Sequence, residues 1–118
     1  EVHDYLGQRI ATCLSAGITK DRIAIDPGIG FGKTRDQNLE IINNLDRLVE
    51  HGCPVLVGLS RKFGKHKPPK YRLPESIAVM VTSVINGAEI VRVHDVSETR
   101  DALLAIRYEG AQNTVTKR

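Results

Sequence analysis

The chain has 118 residues, enough for one domain with a modest core, and its 41% hydrophobic and 26% charged residues are ordinary for a globular protein. No apolar run approaches the roughly 20 residues of a membrane span, and no signal-peptide pattern is present. The net charge of +3 is mild, and its cations are spread out except over 61–70, with no interleaved aromatics, which argues against nucleic acid and toward an anionic small molecule.

Cys13 and Cys53 have neither metal-ligand spacing nor a disulfide framework, so a reducing cytoplasm is the expected setting. The first residue is Glu and the opening residues already read as helix, which suggests a segment of a longer chain.

Val2, Leu6, Ile10 and Leu14 recur every four residues, the stripe of an amphipathic helix stopped by Gly17. Arg22 to Asp26 reads as a strand that ends on a carboxylate and passes at once into Pro27-Gly28-Ile29-Gly30-Phe31-Gly32-Lys33. Thr34-x-x-Gln37 has the form of a capping box, and Leu39, Ile42, Leu45 and Val49 mark one helix closed by Gly52. Pro54 to Gly58 is a second strand, followed by a basic, Pro-containing loop from Arg61 to Tyr71. Pro74 suits the first turn of a helix carrying Ile77, Met80, Val81, Val84 and Ile85 and ending at Asn86-Gly87. Glu89 to His94 is the third strand and Ser97 to about Tyr108 the last helix. Residues 111–118 form a polar tail, expected to fray, after a domain spanning 1–110.

The predicted order, α-β-α-β-α-β-α, has strands too continuously apolar to be half-exposed, so they are expected to be parallel and covered by helices. A repeat of about 30 residues per βα unit suits the C-terminal half of a (β/α)8 TIM barrel, although a doubly wound sheet shares the local pattern. In either fold, ligands sit at the C-terminal ends of the strands. Three such ends carry Asp26, then Ser60-Arg61-Lys62, then Arg92 and His94, which predicts one site assembled from successive strand ends.

An Asp ending an apolar strand needs donors. Asp26 can take them from a guanidine-like ligand edge, as in a pterin or guanine ring, or from its own loop's N–H groups, and spacing leaves both readings open. The glycine run is not the dinucleotide fingerprint, since it reads G-x-G-x-G-K with no acidic partner placed for a ribose. Arg92 lies between two valines and needs an anion, supplied either by Asp95 or by a bound phosphate or diphosphate beside His94. His3, His51 and His66 read as solvent-facing, His51 favoured by a helix C-terminal dipole.

Taken in order, D-P-G-I-G-F-G-K-T, P-V-L-V-G-L-S-R-K and G-A-E-I-V-R-V-H-D-V resemble the three C-terminal motifs of the bacterial dihydropteroate synthase family, and the resemblance covers Ile25 to about Leu104. That family is a (β/α)8 barrel that joins 6-hydroxymethyl-7,8-dihydropterin diphosphate to p-aminobenzoate, releasing diphosphate, with Mg²⁺. The resemblance implies pterin contacts from Asp26, Gly58, Lys62 and Phe31, a p-aminobenzoate side at Phe31, Ser60 and Arg61, and diphosphate held by Arg92 and His94. It also implies a homodimer for the whole enzyme, Mg²⁺ ligands in an N-terminal half not contained in these residues, and no covalent nucleophile. The basic stretch from Phe63 to Lys70 departs from the family, which has a small residue and apolar ones there. Rival readings are the pterin-binding domain of a methyltetrahydrofolate methyltransferase, a barrel acting on another phosphorylated metabolite, and a non-catalytic half-barrel.

Overall fold

The structure, a computed structural model, describes residues 1–59 and 61–106 and the backbone of 115–117. Among the described residues, five α-helices and three strands follow the chain: α1 (Val2–Ser15), α2 (Arg35–Asn43), α3 (Leu45–Val49), β1 (Leu56–Gly58), α4 (Leu73–Ile85), β2 (Ile90–Val93), α5 (Val96–Ile106) and β3 (Val115–Lys117). The sheet order is β1-β2-β3, with both pairings parallel. On the free side of β1, Ile25 makes one parallel bridge to Val55.

The expected first strand, Arg22 to Asp26, is therefore reduced to a single bridged residue. Lys20–Arg22 close into a 3₁₀ turn instead. Two prolines account for this. In the parallel register Ile25 N–H donates to Pro54 C=O at 2.9 Å and Leu56 N–H donates to Ile25 C=O at 2.8 Å. The next ladder bond toward the N-terminus would need an N–H from Pro54, and the next toward the C-terminus one from Pro27. Neither residue has one, so the ladder cannot lengthen either way.

The capping box forms as the sequence predicts, with Gln37 N–H donating to Thr34 Oγ1 at 3.2 Å and Thr34 N–H to Gln37 Oε1 at 2.9 Å. The single helix expected over Leu39 to Val49 breaks at Asn44, whose Nδ2 donates to Glu40 C=O at 2.8 Å and competes with helix continuation. Val49 points outward, and Leu48 takes its place in the core. Ile85 and Leu14, also expected inside, are exposed. β3 lies in the tail expected to fray, where the polar sequence gave no strand signal.

Val55, Val57 and Leu59, from β1 and its flanks, and Val91 and Val93 of β2 form the centre of the core, which helix residues Ile10, Ile42, Leu45, Met80, Val84 and Leu103 cover. α4 packs against both α2 and α5, so the helices follow the strand order along the sheet. One face of each parallel strand is thus covered by helices, and the strand C-terminal ends are left to the loops.

His51 is not solvent-facing. Its ring stacks on His3 with centroids 4.2 Å apart, and its Nε2 donates to His3 C=O at 2.9 Å, joining the segment after α3 to the start of α1.

Candidate functional site at the strand ends

Arg92 is the third residue of β2, in register with Gly58, the last residue of β1. Arg92 lies across Gly58: a Cβ built there would stand 2.6 Å from Arg92 Nη2 and 3.2 Å from its Cζ. A bare Cα therefore lets the guanidinium cross the end of β1 toward the first bridged segment. Arg92 Nη1 reaches to 4.0 Å from Asp26 Oδ2, an ion contact too long to be a hydrogen bond. Arg92 Nε is buried and has no hydrogen-bond partner among the described residues. Of the anions the sequence left open for Arg92, Asp95 is not beside it; the carboxylate nearest the guanidinium is Asp26. Asp95 instead accepts from Arg61 Nη2 at 3.2 Å.

Of the two sequence readings of Asp26, the structure shows the local one, on one of its oxygens. Oδ1 accepts the Gly28 N–H at 2.8 Å, a local turn bond, while Oδ2 faces Arg92. The carboxylate is about one-third exposed, at 36%, and so is reachable by a ligand.

Three side chains fix the glycine loop. Asn38, buried in α2, accepts the Gly30 N–H through Oδ1 at 2.9 Å. Lys33 Nζ donates to Gly28 C=O at 3.0 Å and to Phe31 C=O at 3.2 Å. Lys62 Nζ donates to Ile29 C=O at 2.8 Å and sits 4.7 Å from the Phe31 ring centroid, in cation–π range. Gly30 has a φ of 87°, and a Cβ there would stand 2.8 Å from Lys62 Cδ, so both backbone conformation and space call for glycine. Phe31 itself is 60% exposed.

Of the residues singled out in the sequence, the structure thus brings together Asp26, Gly58 and Arg92, with Phe31 on the adjoining glycine loop and Lys62, from the segment after β1, bonded to that loop. Arg61 turns away to Asp95. His94 lies one residue beyond β2, exposed in a shallow depression with Asp95, Ser97 and Glu98. Ser60 falls outside the described residues. Asn38 went unnoticed in the sequence, yet it left a signal: it stands four residues before Ile42 and seven before Leu45, a polar residue on the apolar stripe.

A cleft of about 870 Å³ opens on the α1 and α2 side of Asp26, lined by Leu6, Gly28, Phe31, Lys33 and Gln37 among others. Gly58, Lys62 and Arg92 do not line it. The charged groups at the strand ends, not the larger hollow, mark the site. No group of three His, Cys, Asp or Glu residues among the described residues could hold a metal ion.

The chain is similar to proteins already known. The family described as pterin binding enzyme matches residues 1–94. A dihydropteroate synthase of Streptococcus pyogenes is 39% identical over 112 residues, covering 90% of this chain and 42% of that protein. The structure of dihydropteroate synthase from Xanthomonas albilineans in complex with 7,8-dihydropteroate superposes with a TM-score of 0.87 at 42% identity, covering 90% of this chain and 42% of that one. The same enzyme with 4-aminobenzoic acid gives a TM-score of 0.87 at 42% identity, over 90% of this chain and 41% of the other. The chain therefore spans about two-fifths of the length of the relatives it matches, and its parallel strands form part of a TIM barrel.

Proposed function

The chain belongs to the pterin binding enzyme family, and on that premise we propose that it carries the pterin and diphosphate side of a dihydropteroate synthase. The reaction joins 6-hydroxymethyl-7,8-dihydropterin diphosphate to p-aminobenzoate. The bond from the exocyclic carbon to the diphosphate oxygen breaks, the arylamine nitrogen forms a bond to that carbon and loses a proton, and diphosphate leaves. Positive charge develops on the exocyclic carbon and spreads into the pterin, while negative charge gathers on the leaving group.

The observation that carries this reading is the meeting of Arg92 and Asp26 across Gly58. A carboxylate with one oxygen turned out of its own loop is an acceptor for the parallel N–H groups of a pterin edge. Beside it, a guanidinium with a buried N–H left unpaired among the described residues keeps donor capacity for an anion. In this role Lys62 hydrogen-bonds the pterin from the end of the β1 segment, and Arg92 binds the diphosphate as charge builds on it. His94 is the second diphosphate group in the proposal, reached from the exposed end of β2. Of the p-aminobenzoate side, Phe31 is the exposed apolar surface; Arg61, tied to Asp95, would contribute only by exchanging that partner, and Ser60 is assigned from the sequence motif alone.

Mg²⁺ belongs to the proposed reaction, but the described residues do not form a site for it. Asp26 is the carboxylate at the strand-end junction, and its two oxygens already face Gly28 and Arg92. Ligands for the ion would come from residues outside this set, and no step is assigned to it here. The whole enzyme is proposed to be a cytoplasmic homodimer; no helix among the described residues is long and apolar enough to cross a membrane.

Calorimetric titration of the chain with the pterin diphosphate, a methylated tetrahydropterin and diphosphate alone tests the reading. Preference for the pterin diphosphate is expected. Equal or tighter binding of the methylated compound would shift the assignment to a methyl-transferring relative, and no binding of any of the three would leave a non-catalytic half-barrel.

A further inference from the structure

The turn that presents Lys62 is kept in a costly conformation by two residues outside the site. Arg61 has a φ of 60° and is the only non-glycine at positive φ among the described residues. Lys62 N–H donates to Leu59 C=O at 3.2 Å, so the backbone is folded back beside Arg61. Positive φ ordinarily selects Gly or Asn, because a Cβ crowds the neighbouring carbonyl.

Such a conformation persists only where its surroundings over-determine it. Both polar groups of the Arg61 backbone are held from the start of α4. Its N–H donates to Ser76 Oγ at 2.8 Å, and its C=O accepts from Arg72 Nη1 at 2.9 Å. Arg72 is itself anchored, donating through Nε to Lys67 C=O at 2.7 Å. Ser76 is 6% exposed, so its hydroxyl is a fixed acceptor rather than a surface group.

We propose that Ser76 and Arg72 are positioning residues, which clamp Arg61 in the left-handed conformation and so aim Lys62 at the glycine loop. With the chain reversed at Arg61, consecutive side chains diverge. Arg61 goes to Asp95 at 3.2 Å, and Lys62 goes to Ile29 C=O at 2.8 Å and to the face of Phe31. Relaxation of Arg61 to an ordinary conformation would swing the peptide between Arg61 and Lys62 and carry the lysine off the loop. The functional side of this inference rests on Lys62 being a pterin contact; the geometric side does not.

Acylation of the chain by a water-soluble active ester, read lysine by lysine by mass spectrometry, follows Lys62 without any ligand. The exposed Lys65 and Lys70 serve as internal references. Ser76→Ala and Arg72→Met are each expected to speed Lys62 acylation roughly three- to tenfold relative to those references, the change in an opening equilibrium when one hydrogen bond is lost. Ser76→Thr, which keeps the hydroxyl, should restore the slow rate. In an Arg61→Gly background, where the left-handed conformation costs little, Ser76→Ala should move Lys62 much less. If Ser76→Ala alone does not fold, the Arg61→Gly double variant should fold, and failure of both overturns the clamp. An unchanged Lys62 rate, or an equal rise in both backgrounds, overturns it as well. Titration of the same variants with the pterin diphosphate separates the two claims: faster Lys62 acylation with unchanged affinity upholds the clamp and removes Lys62 from the pterin contacts.

Discussion

Arg92 Nη1 stands 4.0 Å from Asp26 Oδ2, and the guanidinium covers that distance by passing over the bare Cα of Gly58. The two charges come from opposite sides of β1, so their encounter depends on a residue that contributes no side chain. This makes Gly58 as much a determinant of the site as the charged pair.

Gly58→Ala should therefore damage binding more than folding. Gly58 has no positive φ, so alanine fits the backbone. The atoms its Cβ would meet belong to the far end of a long side chain, which can swing aside. We expect a stability change below about 1 kcal/mol by chemical denaturation, because strain that a flexible group can relieve costs little. Affinity for diphosphate and pterin diphosphate should fall together, since the displaced guanidinium no longer stands beside Asp26. Loss of folding with binding intact in the folded fraction would contradict this.

The sequence made the site's membership legible because strand-end chemistry needs few residue types: an acid closing an apolar run, and an arginine between valines. Pairing partners were less legible. Nothing local distinguishes Asp26 from Asp95 as the anion for Arg92, because that choice depends on the space above Gly58. The positive φ of Arg61 was likewise invisible, since an Arg-Lys pair gives no turn signal and the groups that hold it come from Arg72 and Ser76, over ten residues away. By contrast, the shortening of the first strand could be read from Pro27 and Pro54 once the parallel register is known. The missing element was the register, not the residue types.

Asp26→Asn separates the two roles of this carboxylate. The amide oxygen can still accept the Gly28 N–H, so the loop should keep its fold. A charge-assisted pair with the pterin edge becomes a neutral one with a donor facing a donor, which should weaken pterin binding by about 1.5–3 kcal/mol. Calorimetry on the variant reads this directly. Unchanged affinity would reduce Asp26 to a cap for its own loop.

The basic loop carries a pH dependence of its own. Lys67 Nζ lies 2.8 Å from Glu75 Oε2, and hydrogen bonding from Lys67 holds the Glu75 carboxyl below its ordinary value of 4.5. Because the folded value is the lower one, the pair stabilises the loop above the ordinary carboxylate range and loses that contribution as pH falls through the folded value. Amide exchange over 64–71, corrected for its intrinsic pH dependence, should show weaker protection at about pH 3 than at about pH 6, where a free glutamate is ionised. Glu75→Gln should flatten the profile. A profile unchanged in that variant would assign the effect to another group.

Asn38 offers the sharpest test of how the glycine loop is held. Its Oδ1 is the acceptor for the Gly30 N–H at 2.9 Å, and the side chain is buried in the face that α2 turns to the core. Asn38→Ala leaves that N–H without its acceptor and opens a small void, at an expected cost of about 1–3 kcal/mol. Asn38→Asp keeps an acceptor of the same shape but places a charge where only 6% of the residue is exposed, so it should also destabilise, and less at low pH, where the carboxyl is neutral. The two variants thus separate geometry from polarity. In Asn38→Ala, exchange of the Gly30 amide should quicken at every pH, and pterin affinity should fall because Phe31 sits on that loop and Lys62 is bonded to it. In Asn38→Asp, the Gly30 exchange defect should recover on acidification. Slow Gly30 exchange in Asn38→Ala would mean that Lys33 and Lys62 hold the loop unaided, and that the buried amide serves the core instead.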